Sequence, residues 1–303
     1  MASPQLQTLL QMLKAQPQRE SSGAWDTQSR EDFEKIAAFF PLAADVTRTP
    51  ADADGVKGEW ITVPNSSERV TILYVHGGGY VIGSLNTHAD CVSRIARAAG
   101  ARAFSVDYRL APENPFPAAV EDATTAYRWL LKQNTDPKSI VIAGDSAGGG
   151  LAAATLLALK DAGDPMPGGA VLISPWTDLT CTSETMTSRE VADPILQPEV
   201  LRETGKLYAD GATQKNPHAS PIFGDYSGLP PILVQVGDAE ILLDDSRVYA
   251  ERAKAAGVDC TLEVWDEMIH VFQLFAPMLP EGQQAIEKIG EWVRSNVGAK
   301  VSA

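Results

Sequence analysis

The chain is short of cysteine, of histidine and of basic residues to balance its acids. Its three cysteines, Cys91, Cys181 and Cys260, are scattered and odd in number. They exclude a disulfide framework and point to a reducing compartment. Lys and Arg number 25 against 39 Asp and Glu, which leaves a formal net charge of −14 on 303 residues. That sign excludes a nucleic-acid footprint and attraction to an anionic membrane surface. No apolar run approaches the length of a membrane span. The Gln-rich start, Gln5 to Gln18, lacks the basic head and apolar core of a signal peptide, so the expected compartment is the cytoplasm. There is no H-E-x-x-H, no histidine pair at helical ligand spacing and no cysteine pair, which leaves metal catalysis without support. Internal repeats, low-complexity tracts, heptads and interdomain linkers are also missing.

What is present is an ordinary soluble composition, 44% apolar and 21% charged, on a chain long enough to bury a sizeable core. Its most informative stretch runs from Ser139 to Lys160. A β-branched run, Ile140-Val141-Ile142, gives way to an Ala/Leu-rich helical run. Between them stands Gly144-Asp145-Ser146-Ala147-Gly148, a G-x-S-x-G. The pentapeptide alone is common, but a strand feeding directly into a helix forces a tight, strained turn. Such a turn holds a serine hydroxyl up at the end of a sheet.

Along the chain, residues 1–45 read as helical, with Leu6, Leu9, Leu10 and Leu13, then Phe33, Ile36, Ala37 and Phe40, on either side of a polar break at Pro17, Ser21, Ser22 and Gly23. This arm is expected to cover the main domain. From Gly58 strands and helices alternate: strands at Glu59–Val63, Arg69–Val75, Arg102–Val106, Ala170–Ile173, Ile232–Val236 and Thr261–Trp265, besides the run before Ser146. Helices are expected at His88–Ala99, Ala118–Gln133, Ser246–Ala256 and Gly282–Val297. Residues 178–228 break this rhythm with Thr, Ser, Asp and Pro and read as an insertion, helical near Ser188 and at Pro198–Tyr208. The alternation predicts one α/β domain, a mostly parallel sheet covered on both faces, with a small helical cap.

A serine nucleophile needs a base, and the base an orienting carboxylate. Of the four histidines, His76 opens a glycine run, His88 begins a helix and His218 lies in a Pro/Ser-rich loop. Only His270 follows a strand end downstream of the serine, where reactive groups gather in an open α/β sheet. The stretch Gly237 to Asp245 supplies four acids after the preceding strand. Asp244 and Asp245 suit a helix N-terminus, which leaves Asp238 and Glu240 as candidates. The backbone of His76-Gly77-Gly78-Gly79, with the amide of Ala147, can supply donors to an oxyanion. The glycine run lacks the Lys-Ser/Thr of a phosphate loop.

Taken with Asp107-Tyr108-Arg109-Leu110-Ala111-Pro112-Glu113, Phe116-Pro117-Ala118-Ala119 and Ile173-Ser174-Pro175-Trp176, these motifs resemble the hormone-sensitive-lipase family of α/β-hydrolases, in particular its bacterial carboxylesterases. The resemblance covers about residues 58–297. It implies the α/β-hydrolase fold over 1–303, with an eight-stranded sheet and a cap from 1–45 and 178–228. It also implies hydrolysis of short acyl esters through an acyl-enzyme, without a cofactor. By the family pattern Ser146 is the nucleophile, His270 the base, and Gly78, Gly79 and Ala147 the oxyanion donors. Asp145 and the Tyr108–Glu113 motif are supporting. The family's acid motif reads Asp-Pro-Leu-x-Asp-Glu, whereas this chain has Glu240-Ile241-Leu242-Leu243-Asp244-Asp245. That register makes Glu240, not Asp238, the expected acid. The implied partner is a small acyl ester, with no nucleic acid and no membrane span; a homo-oligomer is left open. A lactonase, thioesterase or amidase would use the same groups. A non-catalytic receptor, such as the gibberellin receptors that resemble this family, would lack the histidine base.

Overall fold

Eight runs become strands of one sheet: β1 Thr47–Ala53, β2 Val56–Thr62, β3 Ser67–Val75, β4 Ala101–Val106, β5 Ile140–Asp145, β6 Gly169–Ile173, β7 Ile232–Gly237 and β8 Cys260–Trp265. The structure is a computed structural model, and it describes residues 2–15, 27–64 and 66–298. The strand order is β1-β2-β4-β3-β5-β6-β7-β8. β2 runs antiparallel to both its neighbours, and the strands from β4 through β8 pair in parallel. The α/β-hydrolase fold expected from the sequence is therefore present, with its mostly parallel eight-stranded sheet.

The helices are α1 Pro4–Lys14, α2 Thr27–Glu34, α3 Leu85–Ala99, α4 Ala118–Lys132, α5 Ala147–Ala162, α6 Thr185–Ser188, α7 Pro198–Tyr208, α8 Leu243–Ala255 and α9 Pro280–Val293. They take both faces of the sheet because the central strands alternate apolar side chains between two cores. Ile140 and Ile142 of β5 join Ala170 and Leu172 of β6 against α4, α5 and α8. Val141, Ala143, Val171 and Ile173 pack with Ile95 of α3 and Ile286 and Ile289 of α9 on the other face. β5 is buried at every position. Each aliphatic side chain removed from water there is worth about 1.5–3 kcal/mol. This inner stiffness is what fixes the strand ends on which the site is built.

β1 escapes the sequence pattern. It carries Pro50 and Asp52, and most of its positions are exposed or half-buried. It pairs only with β2, and an edge strand tolerates proline and needs no apolar alternation. Among the described residues no helix is long and apolar enough to cross a membrane.

The arm at 1–45 is helical at α1 and α2, followed by a 3-10 turn at Lys35–Phe39; the expected polar break at 17–23 lies outside the described residues. Leu6 and Leu9 of α1 are buried against Met268, Ile269, Phe272 and Leu279. Glu281 accepts hydrogen bonds from the Ser3 amide and hydroxyl, 2.6 and 2.9 Å away. From α2, Arg30 donates to the carbonyls of Val81 and Ala111 and pairs with Glu113. The insertion at 178–228 carries α6 and α7 and closes with a short 3-10 turn at Pro221–Phe223.

Candidate active site

The C-terminal ends of β3, β5, β6, β7 and β8 lie along one edge of the sheet, and each delivers a polar group. β5 passes straight into α5 through Ser146, whose φ of 54° and ψ of −122° are far outside the comfortable regions for a residue with a β-carbon. Such a conformation costs about 1–3 kcal/mol and persists only where its surroundings impose it. The surroundings are clear. The Ser146 amide donates to the Ile173 carbonyl at 2.8 Å, and its own carbonyl accepts from Trp176 and Gly150 at 2.9 and 3.0 Å. A β-carbon on Gly148 would collide with the carbonyls of Val75 and His76, so only glycine lets α5 approach β3 this closely. Ser146 itself remains half-exposed.

After β8 the chain turns back and sets His270 beside it. His270 Nε2 stands 2.9 Å from Ser146 Oγ, and its Nδ1 is 2.7 Å from Glu240 Oε2. The carboxylate fixes the tautomer: Nδ1–H donates to Glu240, which leaves Nε2 to accept from the serine hydroxyl. Glu240 is fully buried. Its second oxygen accepts from Ser174 Oγ at 2.8 Å and from the Gly237 amide at 2.7 Å. Ser174 Oγ in turn accepts from the Val271 amide at 3.2 Å, so one hydroxyl ties the acid to the loop that carries the base. Burial works against a charged imidazole. The Glu240 carboxylate, with added influence from Asp193 and Asp145, more than offsets it and raises His270 above its ordinary value.

Asp238 is not part of this line. Its Oδ1 accepts from the Glu267 amide at 2.8 Å, and its own amide donates to the Trp265 carbonyl. It closes the turn after β8 and stays half-exposed. Of the other acids, Asp244 exchanges hydrogen bonds with Thr185. Asp245 is buried and accepts from the amides of Thr177 and Asp178 at 2.7 and 2.8 Å. It therefore does more than complement the start of α8: it fastens the first residues of the insertion. Burial pushes its carboxyl up to about 8.

On the opposite side of Ser146 lies the glycine loop after β3. Gly78, Gly79 and Tyr80 have φ of 116°, 63° and 65°, so three consecutive residues take the left-handed side of backbone space. The amides of Gly78 and Gly79, and that of Ala147 at the first turn of α5, donate to no other group of the described residues. Helix N-terminal amides lack intrahelical partners, and here one of them sits directly after the serine. The loop is held from behind by Asp145. Its Oδ1 accepts from Tyr74 Oη at 2.7 Å and from the Gly77 amide at 3.1 Å, and its Oδ2 faces His88 Nε2 at 3.3 Å. Burial opposes that charge, but His88 and the Tyr74 hydroxyl outweigh it and lower the Asp145 carboxyl. Tyr108 supports the loop from the side, donating to the His76 carbonyl at 2.8 Å and stacking on the His76 ring. Burial, then His88, lowers His76 to about 3, so its ring is neutral and its Nδ1 donates to the Gly77 carbonyl. His218 lies elsewhere, paired with Asp161 in an exposed contact.

A model of the α/β-hydrolase fold family matches residues 72–274, which spans the glycine loop, the serine turn and the His270 loop. The chain belongs to the α/β-hydrolases. Within that family it is similar along its whole length to bacterial hormone-sensitive-lipase relatives. An acetyl-hydrolase of Streptomyces hygroscopicus is 41% identical over 304 residues, covering 98% of this chain and 99% of that one. A crystal structure of an esterase/lipase from an uncultured bacterium shares 46% identity over 98% of this chain and 100% of that chain, with a TM-score of 0.94. A crystallised esterase of the bacterial hormone-sensitive lipase family shares 47% over the same coverage, with a TM-score of 0.93. The family resemblance carried by the glycine-loop and serine motifs is borne out.

Two residues of this α/β-hydrolase site have no assigned role in the sequence reading. Ser174 stands in a motif of the resemblance and directly after a strand, which is the one signal it offers. Asp193 gives none: it lies in the polar insertion, before a proline. It is buried, accepts from the amides of Ile195 and Leu196, and its other oxygen accepts from the Ile241 amide at 3.0 Å. It therefore binds the insertion to the residue next to Glu240.

Proposed function

We propose that Ser146 is the nucleophile, His270 the general base and Glu240 the orienting acid of an acyl-transfer reaction, with the amides of Gly78, Gly79 and Ala147 receiving the oxyanion. The protein is a carboxylic-ester hydrolase. The observation that carries the residue assignment is the unbroken line Glu240–His270–Ser146, 2.7 and 2.9 Å between its members, ending on a strained and half-exposed hydroxyl.

The geometry supports a two-step course. Ser146 Oγ attacks the ester carbonyl carbon as its proton passes to His270 Nε2, and the carbonyl π electrons move onto oxygen. The amides of Gly78, Gly79 and Ala147, which have no other acceptor among the described residues, are the donors we assign to that oxyanion, and such donors are worth most when fixed in advance. As the oxyanion collapses, the ester C–O bond breaks and the leaving alcohol takes the proton from His270, which leaves an acyl-serine. Water then repeats the sequence with the same base. Glu240 keeps its charge throughout and stabilises the imidazolium.

We assign small acyl esters as substrates, and acyl chains of about two to six carbons as the preferred range. The acetyl-hydrolase name of the Streptomyces relative supports this, as do the short, polar-rich segments at 1–45 and 178–228, which we read as the cap. The test is a panel of esters of increasing acyl length, run on wild type and Ser146→Ala together. Expected are a maximum among the short chains and a folded, inactive variant. Near-wild-type turnover by folded Ser146→Ala overturns the nucleophile, and a maximum at long acyl chains overturns the substrate range.

A further inference from the structure

The Tyr80 side chain has no place in the proton-transfer line, yet it belongs to the most strained part of the glycine loop. Glycine adopts left-handed φ freely, but Tyr80 at 65° does so only because something holds it. Its ring lies flat on Tyr208 of α7, with centroids 3.7 Å apart and the planes 1° from parallel. Both rings are 1% exposed. Trp176, from the segment after β6, closes the stack at 6.2 Å from Tyr80. One turn earlier on α7, Thr204 Oγ1 donates to the Val200 carbonyl, which turns the Thr204 methyl toward the loop: a β-carbon on Gly79 would come within 2.9 Å of it. The Tyr208 carbonyl accepts from the Phe116 amide at 2.7 Å, and the Tyr80 carbonyl accepts from Ala111 at 2.9 Å, so both partners of the stack are also tied through their backbones.

We propose that Tyr208 is a positioning residue: by stacking on Tyr80 it clamps the inserted helix α7 to the loop Gly78–Tyr80 and fixes where the Gly78 and Gly79 amides stand when the oxyanion forms. The insertion is then part of the geometry that sets the rate of oxyanion formation. The inference rests on the reading of Gly78 and Gly79 as oxyanion donors. The ring face performs the clamping. The Tyr208 hydroxyl has no partner among the described residues, so phenylalanine preserves the clamp and alanine removes it.

Wild type, Tyr208→Phe, Tyr208→Leu, Tyr208→Ala and Ser146→Ala are compared in kcat and KM on a short acyl ester. Affinity for butylboronic acid is measured alongside, because its tetrahedral serine adduct places an oxygen at the same amides. Expected is wild-type behaviour for Tyr208→Phe. For Tyr208→Ala, kcat falls by about tenfold or more, short of the 10²–10³ for deleting a donor outright, boronate affinity falls in parallel, and KM stays nearly constant. Tyr208→Leu keeps apolar bulk without a flat face and carries the test if the alanine variant does not fold, with the same expected losses. Unchanged kcat and boronate affinity in a folded leucine or alanine variant overturns the proposal, and so does a loss confined to KM. Turnover by Ser146→Ala instead brings down the underlying reading and this inference with it.

Discussion

The two sides of Ser146 are built by different means. Toward His270, the groups are strung together by directed hydrogen bonds: Gly237, Ser174 and His270 donate to Glu240, and Ser146 donates to His270. Toward the glycine loop, hydrogen bonds to Asp145 and from Tyr108, Arg30 and Ala111 are joined by support of another kind, surface against surface: Tyr108 on His76, Tyr80 on Tyr208, the Thr204 methyl over Gly79. The division follows the work. A proton must travel along a defined axis, and hydrogen bonds set axes. Oxyanion donors must only keep their place, and close packing of rigid rings does that.

The largest effect should come from cutting the directed side at its acid. Glu240→Gln keeps shape but loses the charge that selects the tautomer, and turnover is expected to fall by on the order of 10⁴, as in the serine-protease precedent. Asp238→Asn, which touches only the turn at Glu267, should change it far less. Kinetics of the two folded variants check this, and the reverse ranking would transfer the acid to Asp238. Next is the packed side. Gly78→Ala places a methyl against the Ile82 carbonyl in a loop that needs φ of 116°, and kcat should fall by about 10²–10³ with a smaller change in KM. An equal rise in KM would mean that the loop binds substrate rather than the transition state.

A smaller effect separates charge from shape. Asp193 stands with Glu240 and Asp145 among the carboxylates that raise His270. With His270 as the proposed base, the neutral imidazole is the working form, so activity is expected to fall as pH drops through the His270 pKa. Asp193→Asn removes a charge that favours the imidazolium; its single oxygen can serve the Ile241 amide or the amides of Ile195 and Leu196, but not both, so folding of the variant is checked first. The acidic limb of kcat/KM should therefore move to lower pH, and an unmoved limb would reduce Asp193 to a structural tie.

The smallest effect on activity belongs to Asp245, whose role is stability. Its folded carboxyl is raised from 3.8 to about 8. The folded state then binds a proton that the unfolded state has released, and stability declines as pH rises between those values. Asp245→Asn should flatten that decline while leaving the kinetics near wild type. Urea unfolding at pH 5 and pH 9 measures it, and an unchanged pH slope refutes the assignment.

The same division explains what the sequence makes legible. Ser146, His270 and the glycine run stand out by local context, a strand end followed by a helix or a turn, whereas the residues alone leave Asp238 and Glu240 open and only the register of the family's acid motif favours Glu240. β1 is hidden because an edge strand with Pro50 and Asp52 carries no alternation. Asp193 and Tyr208 are hidden for another reason. Asp193 acts on Ile241, 48 residues away, and Tyr208 acts on a loop that belongs to a different part of the sheet. Nothing within a helical turn of either residue distinguishes it from ordinary polar or amphipathic surface. Contacts made only by the closed fold leave no local pattern to read.

The seat of α1 has a consequence for the order in which the protein is made. Leu6 and Leu9 leave the ribosome before β1, yet their partners Met268, Ile269, Phe272 and Leu279 emerge only after β8. At about 5–20 residues per second, the helix waits on the order of tens of seconds for its platform. Eleven residues are too few to hold a helix alone in water. During synthesis its leucines are therefore uncovered, and the segment that brings His270 beside Ser146 is also the one that shelters them. The arrival of His270 beside Ser146 and the burial of α1 then become a single event, so a nascent chain halted before Met268 has neither, and keeps an exposed apolar stripe.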